Sequence, residues 1–203
     1  MLEAGGILPS RLVYISTSGV YGNCGGALVD EARPVNPQTA RAVRRVDAEK
    51  QLLDWGRLHD VAVVVLRAPG IYAAGRLPKD RLLQGIPVLA DNDDVYTNHI
   101  HADDLAAIAR AALAPDAAPG LYNASDDSHL KMGEWFDLVA GRLGLPKPER
   151  VSRADAAGRI PAPMLSFMSE SRRLVNRRMK EILGVKLRYP TVRDGLPLAR
   201  CAA

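Results

Sequence analysis

Ser16, Thr17 and Ser18 place three hydroxyls in a row directly after the apolar run Leu12-Val13-Tyr14-Ile15, and Gly19-Val20-Tyr21-Gly22 follows them. The run has the partly β-branched character of a buried parallel strand. The hydroxyls therefore fall just beyond its C-terminal end, where open α/β sheets bind ligands. A hydroxyl held there orients a carbonyl or alcohol by hydrogen bonding, a task that does not require it to ionise. Thr17 is the leading candidate for this role. The plainer alternative is that it caps the turn, as Ser and Thr commonly do after strands.

Arg41 and Arg45 form a second candidate pair, one turn apart on a predicted helix. Like charges at this spacing cost a few tenths of a kcal/mol, so each arginine should seek an anionic partner, and Asp47 and Glu49 are close in sequence. Neither guanidinium can serve as a base, because it stays protonated throughout the working pH range. His99, His101 and Asp103 imitate a metal-ligand cluster, but three ligands adjacent in sequence offer no evident fourth, and no metal is assigned. Tyr96, Asn98 and His99 are instead candidates to line a substrate pocket. Met164, Phe167 and Met168 read as the apolar face of a helix.

The elements that must position these residues follow from periodicity. Residues 23–37 are rich in Gly, Pro and Asn and read as a loop. Residues 39–58 read as a helix with Ala42, Val46 and Leu53 on one face. The continuous β-branched run 61–67 suits a strand buried on both faces, so strand, helix and strand make one parallel crossover unit. The loop 68–78 then lies at a strand's C-terminal end, where Tyr72 would face the same crevice as Thr17. Further along, the pattern predicts a short helix over 79–84, an extended piece over 95–101 and an amphipathic helix over 103–113. That helix packs through Leu105, Ile108, Ala109 and Ala112 and is capped by Asp103 or Asp104. A short strand over 120–124 and a helix carrying Met132, Trp135, Phe136 and Val139, ending near Gly144, come next. A proline-bounded connection over 146–163 and a basic helix over 170–183 complete the pattern.

The span from Val13 to Gly22 resembles the strand and turn before the active-site tyrosine in extended short-chain dehydrogenases, the NAD-dependent epimerase/dehydratase family. Four further segments match in order: 66–72, 99–106, 120–124, and Leu183-Gly184 with Gly195-Leu196. The resemblance implies an α/β fold, a partial Rossmann-type doubly wound parallel sheet with a small C-terminal α/β substrate-binding region. Residues 1–75 would be the C-terminal half of the NAD(P)-binding domain and 76–203 the substrate-binding region, with about 95–125 packing back onto the sheet. It also implies NAD or NADP as cofactor. Thr17, Arg41 and Arg45 then occupy catalytic positions. Ser16, Thr17, Arg45, Pro69, Gly70 and Ile71 would contact the cofactor, and Ser18, Tyr72, Asn98 and His99 the substrate.

Three departures qualify that expectation. Arg41 and Arg45 stand where the family carries its tyrosine and lysine, so resemblance is greatest to the atypical, tyrosine-lacking branch. Ser18-Gly19 replaces the acidic pair of the sugar-nucleotide dehydratases. No Gly-x-x-Gly-x-x-Gly stretch opens a helix after a strand; Gly5-Gly6 and Gly25-Gly26 lack that context. The expectation is thus an N-terminally truncated member in which Met1 to Pro9 form the tail of a preceding helix and its loop. The implied activity is that of an oxidoreductase or epimerase on a small polar or sugar-nucleotide-like substrate. The alternative is a non-catalytic dinucleotide- or ligand-binding regulatory protein.

Composition bounds the rest. A chain of 203 residues, 47% of them apolar, can bury a substantial core. The net charge of +4 comes from scattered arginines with clusters at 41/44/45 and 172/173/177/178. Sparse aromatic residues do not interleave with those clusters, so they read as solvated surface and not as a nucleic-acid footprint. Cys24 and Cys201 form neither a metal-type spacing nor a disulfide framework, which suits a reducing cytosol and a cytoplasmic location. No apolar run approaches the roughly 20 residues needed to span a bilayer. A homo-oligomer formed through an unpaired sheet edge is a further expectation.

Overall fold

The computed structural model describes residues 7–197. Gly5, Gly6 and Cys201, and most of the segment 1–9 expected to be a helix tail and loop, lie outside the described residues. In chain order the first elements are β1 (Arg11–Thr17), β2 (Leu28–Val29), α1 (Ala40–Leu58), β3 (Ala62–Ala68), β4 (Gly70–Tyr72) and α2 (Lys79–Leu83). Next come β5 (Val88–Leu89), β6 (Tyr96–Thr97), β7 (His99–His101), α3 (Ala102–Ala112), β8 (Gly120–Asn123), β9 (Leu130–Lys131) and α4 (Met132–Leu143). The last are β10 (Arg150–Val151), α5 (Ala162–Phe167), β11 (Arg173–Leu174), α6 (Arg177–Ile182) and α7 (Val192–Gly195). Among the described residues, no helix is long and apolar enough to cross a membrane.

The central sheet has the order β1-β3-β8 and is parallel throughout. Its middle strand explains the layering. Side chains alternate across a strand, and every residue of β3 beyond Ala62 is buried. Val64, Leu66 and Ala68 pack on one face with Leu105, Ile108 and Ala112 of α3. Val63 and Arg67 face α1 on the other, where a Cβ on Gly56 would lie 2.4 Å from Val63 Cγ2 and where Arg67 pairs with Glu49. Helices thus cover both faces of β3, as the unbroken β-branched run requires.

β1 differs from the buried strand expected for it. It pairs only with β3 among the described residues, and Ile15 is 44% exposed. An outer strand with one neighbour has less of its apolar surface covered. Tight packing returns at α1. Its inward stripe has Ala42, Glu49 and Gly56 buried and Val46 and Leu53 half-buried, with Gly56 pressed onto the start of β3. Gly56→Ala would gain about 1 kcal/mol of helix propensity. The new methyl would also lie 2.8 Å from the Val61 carbonyl oxygen, which belongs to the backbone and cannot swing away. The clash should win: we expect a net loss of roughly 1–3 kcal/mol in denaturant unfolding, and a stabilised Gly56→Ala protein would show that α1 can lift off β3.

Two segments differ from their sequence-based assignments for one shared reason. Residues 23–37 contain β2, and residues 170–183 are not a continuous helix, because β11 pairs parallel with β2 before α6 begins. The amides of Cys24 and Gly26 donate to the Ser171 carbonyl at 2.9 and 3.0 Å, and the amide of Val175 donates to Val29 at 2.9 Å. These long-range backbone bonds override the local helical preference of the basic segment. Of its arginines, Arg177 is solvated as expected, whereas the others are held against the fold. Arg172 pairs with Glu170, Arg173 stacks on Tyr96 and Arg178 on Tyr122. In the connection 146–163, β10 pairs parallel with β5. A second apolar cluster, built on Trp135, Phe136 and Val139 of α4 with Tyr72, Leu82 and Val88, holds the small substructure beyond the sheet.

Candidate functional site

A cleft of about 490 Å³ opens at the C-terminal ends of β1 and β3. Thr17, Ser18 and Gly19 form one side of it, the first turns of α1 present Arg41 and Arg45, and residues 68–71 form the opposite wall, where the expected loop is instead the end of β3 running into β4. Tyr96, Asn98, Phe167 and Arg172 enclose the far end.

Thr17 Oγ1 accepts a hydrogen bond from the Gly19 amide at 3.2 Å. The capping role and a ligand-facing role are therefore compatible: the bond occupies a lone pair and fixes the oxygen, leaving the O–H free to donate. The turn itself needs glycine at its end. Gly22 has φ +63°, and a Cβ there would sit 2.1 Å from the Asn36 carbonyl oxygen, so the chain can close the turn only without a side chain. Ser18 is buried at the cleft wall.

Ser16 also borders the cleft, but its hydroxyl is committed elsewhere, donating to Glu49 Oε1 at 2.5 Å. Glu49 in turn holds Arg67, whose Nη2 lies 2.8 Å from Oε2, with both side chains about 95% buried. Arg67 stacks over the Tyr21 ring, and the Tyr21 hydroxyl donates to Asn123 Oδ1 at 2.8 Å. Burial holds the Tyr21 phenol above its ordinary range despite the neighbouring guanidinium. This network ties the hydroxyl turn to α1, β3 and β8, and it corrects the expected pairing of α1's charges. Glu49 serves Arg67 and not Arg41 or Arg45, while Asp47 accepts from Gln51 at 2.7 Å.

Freed from those carboxylates, Arg41 lies 4.6 Å above the Phe167 ring. Arg45 donates to the Tyr14 hydroxyl at 2.7 Å. Neither forms an ion pair with a carboxylate among the described residues, and both line the cleft. Pro69, Gly70 and Ile71 line it as well, with Gly70 close under the Asn98 carbonyl. Asn98 borders the cleft but spends its amide on the 172–174 backbone, donating to the Arg172 carbonyl at 3.0 Å and accepting from the Leu174 amide at 2.8 Å.

Tyr72 does not face the crevice. β4 runs alongside β7 and turns the ring into the apolar cluster against His101 and Trp135, with its hydroxyl 3.5 Å from the Thr191 carbonyl oxygen. Burial and nearby Asp126, Asp104 and Asp194 push the phenol well above its ordinary range. His99 is likewise buried and borders a smaller pocket beside the cleft, and burial lowers its pKa to about 3. His101 Nδ1 accepts from the Asp103 amide at 3.2 Å and so caps α3. Asp104, expected as a possible cap, instead accepts from the amides of Arg188 and Tyr189 at 2.7 and 2.9 Å. Five cleft residues were not legible as such, Thr97 and the Glu170 carboxylate that pairs with Arg172 among them. Phe167 is 51% exposed and faces Arg41 instead of lying wholly in a core, while Met132 and Arg172 arrive through α4 and the β11 pairing.

The fold is shared with known proteins. The chain is 29% identical over 197 residues to a 3-diazoavenalumate denitrifying reductase from a Streptomyces species, a match covering 92% of this chain and 64% of that protein. A conserved protein of unknown function from Silicibacter pomeroyi DSS superposes with a TM-score of 0.79 at 35% identity, covering 92% of this chain and 64% of that one. The dTDP-glucose 4,6-dehydratase of Bacillus anthracis, solved in complex with NAD, gives a TM-score of 0.73 at 19% identity, covering 93% and 60%. The chain thus spans less than two thirds of the length of these relatives. Residues 1–125 match the model of the NAD dependent epimerase/dehydratase family, and the chain belongs to that family.

Proposed function

We propose that the cleft is the nicotinamide and substrate side of an NAD(P)-dependent oxidoreductase site, acting on a small polar or sugar-nucleotide-like substrate that bears negative charge. The observation that carries this reading is the pairing of a fixed Thr17 hydroxyl with two guanidiniums that lack carboxylate partners, at the C-terminal ends of two parallel strands. A dehydratase of similar fold carries NAD, and the Streptomyces relative is by name a reductase.

The residues present suit the nicotinamide end of such a cofactor. Pro69, Gly70 and Ile71 offer a wall of backbone and small apolar surface, Arg45 has donors beyond the one given to Tyr14, and about 490 Å³ lies within the range of small-molecule sites. When bound, the nicotinamide supplies or takes up a hydride. Thr17 would donate its O–H to the substrate oxygen and hold it in line. Arg41, permanently protonated, would stabilise negative charge developing on the substrate without moving a proton, so the proton itself would be exchanged with water.

Reduced nicotinamide mononucleotide is the direct probe, because it needs no adenosine-binding half. Saturable binding is expected by ligand-observed NMR, weakened about tenfold or more by Arg45→Gln through loss of a charge-assisted hydrogen bond. Thr17→Val should leave that binding intact yet lower hydride transfer to an accepted carbonyl by roughly ten- to a thousandfold. Absence of saturable binding would sink the reading. Arg41 in place of a phenol favours a second one, ligand binding without turnover, and binding with no oxidation across a carbonyl panel would select it.

A further inference from the structure

Beside the cleft lies a smaller pocket of about 200 Å³. Thr97, Met132 and Phe167 line both spaces, so the two adjoin across these side chains. The pocket's remaining walls include Trp135 and Phe136 of α4, the buried imidazole of His99 and the side chain of Arg81 from α2.

Arg81 is the unusual member. Its guanidinium sits 4.1 Å above the Phe136 ring and gives one hydrogen bond, from Nη2 to the Pro87 carbonyl at 3.1 Å. Its Nε is buried with no acceptor, and no carboxylate pairs with it among the described residues. Arg67, Arg150 and Arg172 each have a carboxylate, in Glu49, Asp137 and Glu170, whereas Arg178, stacked on Tyr122, shares with Arg81 a buried Nε without an acceptor but lines neither the cleft nor this pocket. Desolvation without a compensating charge lowers the pKa of Arg81 to about 10, which still leaves it cationic at neutral pH. Arg81 is half-buried; a cation partly withdrawn from water and left without an anion carries a desolvation cost that an incoming carboxylate would relieve through charge-assisted hydrogen bonds. His99 adds a second open group. Its ring lies 4.2 Å from that of Trp135, and its Nδ1 is buried without a partner. A hydroxyl, able both to donate and to accept, matches either imidazole tautomer.

We propose that this pocket binds an aryl carboxylate, with the acid on Arg81 and the ring among Trp135, Phe136 and Phe167, as the specificity-determining end of the molecule whose remainder enters the cleft. That the occupant is a substrate rests on the oxidoreductase reading; that it is an aryl acid does not. The size agrees, since an apolar cavity of about 150 Å³ accommodates benzene, and about 200 Å³ leaves room for one ring and its acid group. A ring hydroxyl directed at His99 completes the match. A nucleoside diphosphate is too large for the same space.

Ligand-observed NMR titrations of the 203-residue chain test this with 4-hydroxybenzoate, its neutral isostere 4-hydroxybenzamide, cyclohexanecarboxylate and uridine diphosphate. The expected result is 4-hydroxybenzoate binding at least tenfold tighter than either the amide or the saturated acid. Arg81→Gln should abolish the preference over the amide, and Arg81→Lys should restore part of it. Arg44→Gln, which removes an exposed charge on α1, should leave it unchanged. Intermolecular NOEs from the ligand ring to the Trp135 indole should locate the site in the wild-type protein, whatever the folding yield of the variants. Equal binding of acid and amide, a preference surviving Arg81→Gln, or displacement of 4-hydroxybenzoate by uridine diphosphate would each overturn the proposal. If 4-hydroxybenzoate binds as described and reduced nicotinamide mononucleotide does not, the oxidoreductase reading falls and the aryl-acid pocket stands.

Discussion

Glu49→Ala should destabilise the protein by about 3–5 kcal/mol, the usual consequence of stripping one partner from a buried ion pair. The substitution leaves the Arg67 guanidinium, 3% exposed as a residue, without its countercharge, and it removes the acceptor of the Ser16 hydroxyl. For a chain of this size each kcal/mol moves the thermal midpoint by roughly 2–4 °C, so a drop on the order of 6–20 °C is expected in a calorimetric or circular-dichroism melt. Arg67→Met alone should be similarly harmful, because it strands the carboxylate. The double variant Glu49→Leu/Arg67→Met should be far less damaged than the sum of the singles, since neither charge then remains uncompensated. Additive losses would show that the pair is hydrated in solution and that its contribution is packing alone. The double variant also separates stability from site geometry. With the fold restored but Ser16 unanchored, any loss of ligand binding in the cleft reports the positioning of the hydroxyl turn.

That network also marks where sequence reasoning stops. The stripe Ala42-Val46-Leu53 on α1 and the β-branched run entering β3 are legible because local periodicity encodes them, and the observed helix and strand fall within a residue or two of expectation. Glu49 and Gly56 complete the same stripe and are among its most buried members, yet their types argue against burial. What reverses the argument is Arg67, which sits on the next strand at the end of an apolar run, so the pair exists only once β1, α1 and β3 are assembled. That Thr17, Arg41, Arg45 and residues 69–71 line one cleft was legible because the parallel crossover places them at one end of the sheet. Tyr72 was misplaced because β4 stays extended beside β7, and a strand's alternation sends a side chain to the face that packing demands. The two-residue pairings of β2 with β11 and of β5 with β10 leave no periodic trace at all. The β2–β11 pairing nevertheless helps bring Arg172 to the cleft, and Phe167 closes the wall it shares with the smaller pocket.

Asp126→Asn should change how stability depends on pH. Asp126 is 3% exposed; one carboxylate oxygen accepts from the Ser128 amide at 2.9 Å and the other has no partner. Burial, reinforced by the charges of Asp127 and Asp104, raises its pKa to about 8. The folded protein therefore keeps a proton that the unfolded chain releases near pH 4. The stability this group contributes is fully present below that value and is lost as pH rises toward 8. His99 works in the opposite sense. Burial lowers its pKa to about 3, so its contribution is present above about pH 6.5 and is lost on acidification below it. Between about pH 4 and 6.5 the two slopes offset each other, and between 6.5 and 8 only the loss from Asp126 remains. At 1.36 kcal/mol per pH unit for one proton, the wild-type protein should be less stable at pH 8 than at pH 6.5 by up to about 2 kcal/mol in urea unfolding. Asp94, whose pKa is also raised by burial, acts in the same direction, so the comparison between variant and wild type isolates Asp126. Asn supplies the same shape with no proton to lose. The Asp126→Asn protein should show a smaller decline over that interval and be the more stable of the two at pH 8. An identical decline in both proteins would mean that Asp126 is ionised in the folded state and has drawn water or a cation to its unpaired oxygen.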